Sequence, residues 1–453
     1  MISNYNKKRF LVIDDQPLAR DALRTVAQTI GAFAVEFASN YQDAIYRIRN
    51  NVPDIILCDY ILGDGRSGQQ LLEELRRFNL LPDECIFMMV TGEQSYEQVV
   101  SAVELVPDDY IIKPFSPDKL VLRLDRIVAK KNFFASYYKE KRRQEYAAAI
   151  AILEAHHASE AGRSYRFEIL RQQAEVHLAS GNADSAEATY RTILEKYEFP
   201  WARAGVARSL RKQNRLTEAR QEIEQVVART PHYFDAADLK ADICMAQGEH
   251  GEAQKVLDEA AKLTPRNYRR KRLLAEAATL SGDIDTACAA MSEVIANDTM
   301  PGAISPEDRL AFARSHVNAG DKISAEKVLI AIRDAEIQAM NLTEQGSFAA
   351  LLAIASPEKG KIRFAGLRPA LMVAELNPTA RLDVVRAALS VNDNELADLH
   401  TEQLMAGSEA KKAFSSLRSQ YALFGREMEF REIQRQVALK RIHHDDADPG
   451  ELI

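Results

Sequence analysis

The chain has 453 residues, of which 46% are hydrophobic, 28% charged and 7% aromatic, with a formal net charge of −7. That length allows two or three domains with cores of their own, and the balance suits a soluble, helix-rich protein. No apolar run approaches a membrane span and the N-terminal MISNYNKKRF has no apolar signal core, so a cytoplasmic protein without membrane insertion is expected. Cys58, Cys85, Cys244 and Cys288 lie far apart without a CxxC or Cys/His grouping, which excludes a disulfide framework or zinc site and leaves buried thiols. Residues 1–131 hold 16 Lys+Arg against 19 Asp+Glu, so no basic half is concealed and no nucleic-acid partner is expected.

From Arg9 to about Lys131, short apolar runs alternate with amphipathic stretches. RFLVI, AVEF, DIILC, IFMMV and DYII read as buried strands. LARDALRTVAQTI, YQDAIYRIRN, GQQLLEELRRF, SYEQVVSAVELV and PDKLVLRLDRIVAKK carry helix-spaced apolar positions. Five such alternations predict an α/β fold, a doubly wound five-stranded parallel sheet whose ligand site lies at the carboxyl ends of its strands.

Those ends hold Asp14 and Asp15 (VIDD), Asp59 (LCDY), Thr91 (MVTG) and Lys113 (YIIKP). Each is unremarkable as a cap or loop residue, but together they set three carboxylates, a hydroxyl and an ammonium around one crevice. Carboxylates a few ångströms apart repel by roughly 1–4 kcal/mol per pair near a surface. Mg²⁺, a hard cation with oxygen ligands, is the natural neutraliser, and beside a lysine and a hydroxyl it suits phosphoryl transfer to a carboxylate.

In these motifs and their order, residues 8–131 resemble the receiver domain of bacterial response regulators, with its flavodoxin-like sheet. The resemblance implies that Asp59 accepts the phosphoryl group, Asp15 binds Mg²⁺ directly, Asp14 acts on it through water, and the Ile61 carbonyl completes the protein ligands. Thr91 bonds a phosphoryl oxygen, Lys113 pairs with the phosphoryl group, Tyr110 turns inward on phosphorylation, and the Lys113–Pro114 bond is cis. DYILGDGRSG departs from the family by placing Gly63 where proline is common and reaching Gly68 one residue late. Ile61 and Glu93 flank the site where such domains vary.

After Lys131 the strand signals stop. NFFASYYKEKRRQEYAAAIAILEAHHA reads as helix, so residues 132–163 are expected to form a connecting helix and a first solenoid helix. Segments beginning near Phe167, Pro200, Phe234, Tyr268 and Pro306, spaced 33, 34, 34 and 38 residues, then superpose. Position 8 is Ala174, Ala207, Ala241, Ala275 and Ala313; position 15 is Gly181, Asn214, Gly248, Gly282 and Gly320. Position 20 is Ala186, Ala219, Ala253, Ala287 and Ala325, and position 24 is Tyr190, Ile223, Leu257, Met291 and Leu329. Small residues let two helices approach, a left-handed residue ends the first, and a large one fills the core.

Residues 164–340 thus resemble tetratricopeptide repeats and predict an all-α, TPR-like helical solenoid. Arg203, Ala237 and Lys271 depart from the aromatic usual at position 4, and Trp201 sits two places early. Residues 341–440 read as further helical repeats and a capping helix: LTEQGSFAALLAIA, LRPALMVAELN, TARLDVVRAALSV, NELADLHTEQLMA and one long stretch from EAKKAFSSL to ALKRI. Residues 441–453 read as a flexible tail in which His443 and His444 offer a weak metal alternative.

On the repeats' concave face, Arg208, Arg211 and Lys212, then Asp235, Asp238 and Asp242, then Arg269 and Arg272 form either a groove for a charged partner segment or a solvated helix face. The repeat half has no helix-turn-helix, cyclase, P-loop or phospho-histidine signature. The resemblance implies a phosphorylation-switched, non-enzymatic regulator in a two-component phosphorelay, taking phosphate from a sensor histidine kinase or phosphotransfer protein and signalling to a protein partner through its repeats. Receiver pairing in a homodimer is a further consequence. The alternatives are a phosphate sink that restrains another regulator, and an unrecognised enzyme within residues 345–440.

Overall fold

The computed structural model describes residues 5–63, 67–77, 80–92, 107–231, 233–265, 267–296, 304–407 and 410–445. Strands β1 (Arg9–Ile13), β2 (Ala34–Ala38), β3 (Ile55–Asp59), β4 (Ile86–Gly92) and β5 (Asp109–Lys113) form one parallel sheet in the order β2-β1-β3-β4-β5. Between strands come α1 (Pro17–Thr29), α2 (Tyr41–Asn50) and α3 (Gly68–Arg77), and α4 (Pro117–Phe133) follows β5. The expected helix SYEQVVSAVELV lies outside the described residues.

β3 is buried throughout, as a strand covered on both faces must be. Phe10, Val12, Ile55, Leu57, Met88 and Val90 pack with Leu23 and Val26 of α1 and Leu120, Leu124 and Ile127 of α4. The alternate residues Leu11, Ile13, Ile56, Cys58, Phe87 and Met89 are buried on the opposite face. Register aligns Ile13 with Cys58, Asp59 with Val90, and Gly92 with Lys113, so the polar strand ends finish along one edge of the sheet.

The helical part runs α5 (Ala135–Arg142), α6 (Tyr146–Ala158), α7 (Arg166–Ala179), α8 (Ala183–Leu194), α9 (Pro200–Lys212), α10 (Leu216–Arg229), α11 (Phe234–Gln247) and α12 (His250–Leu263). It continues with α13 (Tyr268–Ser281), α14 (Ile284–Ala296), α15 (Pro306–Asn318), α16 (Lys322–Ile330), α17 (Asp334–Ala339) and α18 (Leu342–Ala355). Last come α19 (Pro357–Leu371), α20 (Pro378–Ser390), α21 (Asn394–Ala406), α22 (Ala410–Leu423) and α23 (Glu427–Asp445). The chain divides into two compact units, Met1–Gln247 with Val256–Asn267 and Gly248–Lys255 with Tyr268–Ile453.

The repeat register is realised physically. Every alanine at positions 8 and 20 and every large residue at position 24 is buried, and the five residues at position 15 have φ between 62° and 89°. Where position 4 lacks an aromatic, Arg203 pairs with Glu198 and Glu222, and Lys271 pairs with Glu293.

The structure corrects three local expectations beyond residue 340, while the two helices expected within 132–163 meet at Gln144, φ 61°, which reverses the chain between α5 and α6. With Gln144 as position 15, Tyr137, Ala149 and Leu153 occupy positions 8, 20 and 24 and are buried, so this hairpin already follows the repeat geometry. The long stretch ending in ALKRI divides at Gly425, φ 70°, into α22 and α23. LRPALMVAELN is helical only to Leu371, as the end of α19, which holds Pro369 in its interior. Lastly, α23 continues through Asp445, into residues expected as tail; 446–453 lie outside the described residues.

Beyond residue 340 a hairpin in the same geometry appears without its usual letters: Asn392 has φ 60°, and Val385, Ala397 and Thr401 at positions 8, 20 and 24 are buried. Next to it, α18 is buried continuously from Gly346 to Ala355, and a Cβ on Gly360 of α19 would stand 2.3 Å from the Ala353 backbone nitrogen. A helix covered on all sides loses the amphipathic period by which repeats are recognised. No helix among the described residues is long and apolar enough to cross a membrane.

Candidate functional site

Asp14 and Asp15 follow β1 directly, Asp59 ends β3, Thr91 lies one residue before the end of β4, and Lys113 ends β5. Carboxylate oxygens of Asp14, Asp15 and Asp59 lie within 4.8 Å of one another. The Lys113 ammonium bridges two of them, donating to Asp14 Oδ2 at 2.7 Å and Asp59 Oδ2 at 2.9 Å. Asp59 Oδ1 accepts from the Tyr60 N–H at 2.6 Å, and Asp14 Oδ1 from the Gln16 N–H at 2.9 Å. Each buried acid is thereby fixed in direction by a backbone donor on one oxygen and the ammonium on the other.

Three carboxylates and one ammonium leave a net of two negative charges in a half-buried crevice. The donors are all hard oxygens, so the set fits a small divalent cation. Burial raises the pKa of Asp59 and the Asp14 charge adds to this, while Lys113 opposes both. Burial alone disfavours the Lys113 ammonium, yet its bonds to Asp14 and Asp59 outweigh that and hold its pKa above the usual value. Burial, with the adjacent acids, pushes the Cys58 thiol well up, leaving it an inert packing group beside the site.

The other expected members are placed as follows. Thr91 is buried, its hydroxyl donating to the Gly92 carbonyl at 3.1 Å. Ile61 is 57% exposed and forms an isolated bridge with Ser67. Tyr110 is half-buried on β5, its N–H donating to Asp109. The Lys113–Pro114 bond is cis. Glu93 lies outside the described residues.

Sequence reasoning missed why two glycines border the acids. Gly63 has φ 71°, a conformation closed to proline, and a Cβ there would meet Asp15 Oδ2 at 2.8 Å. A Cβ on Gly68 would lie 2.3 Å from the Asp59 carbonyl and 2.7 Å from Cys58 Sγ. Arg20 was missed too: its guanidinium donates to the Asp14 carbonyl at 2.7 Å. The three closely spaced glycines of LGDGRSG were the available signal for the first two; an arginine on an amphipathic helix gave none.

Known proteins now bear on this geometry. Residues 10–125 match the response regulator receiver domain family, and residues 171–234, 205–265 and 239–300 match a tetratricopeptide repeat family. Residues 10–125 are a response regulator receiver domain. The receiver is followed, over residues 171–300, by tetratricopeptide repeats. The phosphate regulon transcriptional regulatory protein PhoB of Escherichia coli (strain K12) is 35% identical over 121 residues, covering 27% of this chain and 52% of that protein. Its namesake in Pseudomonas aeruginosa is 36% identical over the same length and coverage. This chain thus spans about half the length of the curated relatives it matches. A crystal structure of a putative response regulator from Chloroflexus aurantiacus J-10-fl, 29% identical, covers 27% of this chain and 98% of its own at TM-score 0.25.

Most of the charges expected to line the repeat groove already have partners within the protein. Arg211 pairs with Asp242 at 3.0 Å, and Arg272 pairs with the buried Asp308 of the next hairpin. Asp238 is buried, Asp235 half-buried and Arg269 exposed; all three have partners. Among the described residues, Arg208 and Lys212 on α9 have no ion-pair partner.

Proposed function

We propose that this protein is a cytoplasmic, phosphorylation-switched response regulator that accepts a phosphoryl group on Asp59 from a histidine kinase or phosphotransfer protein and signals by protein contact through its repeats rather than by binding DNA. The observation that carries the reading is the Lys113 ammonium held between Asp14 and Asp59, with Asp15 completing the acidic set. The receiver in this reading spans residues 1–131, followed by the connecting segment 132–163, repeats over 164–340, further repeats over 341–440 and the terminal segment 441–453.

Asp14, Asp15, Asp59 and the Ile61 carbonyl would hold Mg²⁺, which would supply positive charge to the phosphoryl oxygens. Asp59 Oδ1 is committed to the Tyr60 N–H, so Oδ2 is the attacking atom. Its bond to phosphorus forms as the phosphorus–nitrogen bond of the donor phosphohistidine breaks and the nitrogen keeps the electron pair. Lys113 moves its hydrogen bond from Oδ2 to a phosphoryl oxygen, Thr91 turns its hydroxyl from the Gly92 carbonyl to another, and Tyr110 follows inward. The repeats then present a changed surface to a protein partner, with Arg208, Arg211, Asp235 and Asp242 on the face concerned.

Pulldown from lysate with wild type and Asp59→Ala, each with and without a phosphoryl mimic, tests the switch. The expected result is a partner whose capture depends on phosphorylation in the wild type alone; identical partner sets in all four conditions refute it. Capture of a kinase with no further partner favours the phosphate-sink alternative.

A further inference from the structure

The receiver joins the helices through the end of its sheet opposite the acids. The ammonium of Lys131, in the last turn of α4, donates to the Asp83 carbonyl at 2.6 Å and pairs with Asp108 at 2.8 Å, where both side chains are more than four-fifths buried. It also lies 5.7 Å from the centroid of the Tyr138 ring on α5. Around this hub, Lys141 pairs with Asp83 at 2.9 Å, Arg142 pairs with Glu84, and Lys130 reaches Glu168 of α7 at 3.5 Å. Beneath it, Phe134, Tyr137 and Tyr138 form a common core with Ala149 and Leu153 of α6 and Ile169 and Val176 of α7, and the Tyr137 hydroxyl donates to Gln172.

Asp83 and Glu84 precede β4 with only Cys85 between, and Asp108 immediately precedes β5. Asp108 also holds the start of the ladder, accepting from the Phe87 N–H at 2.9 Å. The opposite ends of these two strands carry Thr91 and Lys113. Among the described residues β5 pairs only with β4, so like β2 it is an edge strand restrained sideways on one side, while its length is fixed by an extended backbone. A displacement of Lys113 toward a phosphoryl group therefore pulls on Asp108, five residues away.

We propose that the switch is read at this end: phosphorylation draws β5 away from Lys131, loosening the ion-pair clamp that holds the α5–α6 hairpin. This rests on the phospho-acceptor reading of Asp59, but the clamp itself does not. Hydrogen exchange over residues 135–158 of the full chain tests both, in wild type, Asp59→Ala, Lys131→Met, Asp83→Lys, Lys141→Asp and the double swap Asp83→Lys/Lys141→Asp, with and without acetyl phosphate and Mg²⁺.

Without phosphodonor, Lys131→Met and the single reversals raise exchange roughly two- to fivefold and the double swap restores it. Equal exchange in all of them overturns the clamp. With phosphodonor, the wild type rises by a similar factor and Lys131→Met, already loosened, rises no further. A wild type that takes up phosphate on Asp59 without any rise, or an undiminished rise in Lys131→Met, overturns the readout. A rise that persists in Asp59→Ala overturns the phospho-acceptor reading while leaving the clamp to the reversal pair.

Discussion

The receiver and the helical region were built under different constraints, and they disclose different things. In the receiver, chemistry dictates residue type: three carboxylates and an ammonium must meet at the strand ends, and the structure sets Lys113 between two of those acids. In the helical region, packing dictates size alone. Alanine at positions 8 and 20 is required by helix approach, whatever the repeats bind, and charges there settle against neighbours, as Arg211 does with Asp242. A site shows its purpose in its letters; a scaffold shows only its shape.

That contrast can be broken from either side. The largest expected effect is structural and lies in the helices. Arg314 of α15 is held by Asp383 of α20 through bonds of 2.8 to 3.0 Å, and Asp383 also accepts from the buried Ser347 hydroxyl. Asp383→Ala leaves the guanidinium only its 3.5 Å contact with Glu307 and is expected to cost about 3 kcal/mol in urea unfolding. Receiver phosphorylation should be unchanged, since Arg314 and Asp383 belong to the other compact unit; a loss of labelling would mean that the two regions are not separable.

Gly63→Ala is the converse. It forces φ 71° on an L-residue and a Cβ onto Asp15, so Mg²⁺-dependent phosphorylation should fall about tenfold, the effect of roughly 1–2 kcal/mol of strain, when rates are titrated with the metal. Unfolding of the helices should not move.

These same residues explain what the sequence disclosed. The five strands and the acids were legible because buried parallel strands are continuous apolar runs and because Asp59 and its partners admit few substitutes. The α5–α6 hairpin was hidden because Gln144 and Tyr137 stand where the other repeats have Gly or Asn and Ala. LTEQGSFAALLAIA was legible as a helix, α18, but its place in the repeat register was hidden because burial on every side removed its period, and the break at Gly425 was hidden because one glycine looks like another until its φ is known. The groove remained open in the sequence because a helix face does not say whether its charges meet a partner or each other.

A smaller effect concerns pH. His400 of α21 is fully buried, its ring beside Gln403 and the Leu371 backbone. Burial, reinforced by the Arg381 charge, lowers its pKa. A folded-state pKa below the unfolded value means stability that is complete above about pH 6.5 and is lost as pH falls through it, by at most about 1.4 kcal/mol per pH unit. Urea midpoints at pH 7.5 and 5.5 should therefore diverge in the wild type and less so in His400→Leu. The smallest effect is expected at Arg208: Arg208→Ala should change stability by less than about 0.5 kcal/mol, because among the described residues the side chain has no ion pair to lose. Reduced capture of the partner at unchanged stability would turn a helix face into a binding surface.

The central claim is that Asp59 is the phospho-acceptor of a metal-dependent site, and labelling measures it directly. Incubated with labelled acetyl phosphate and Mg²⁺, the wild type should take up one acid-stable, base-labile phosphoryl group, with none after chelation and none in Asp59→Ala. Label that persists in Asp59→Ala, or uptake indifferent to Mg²⁺, would contradict the account.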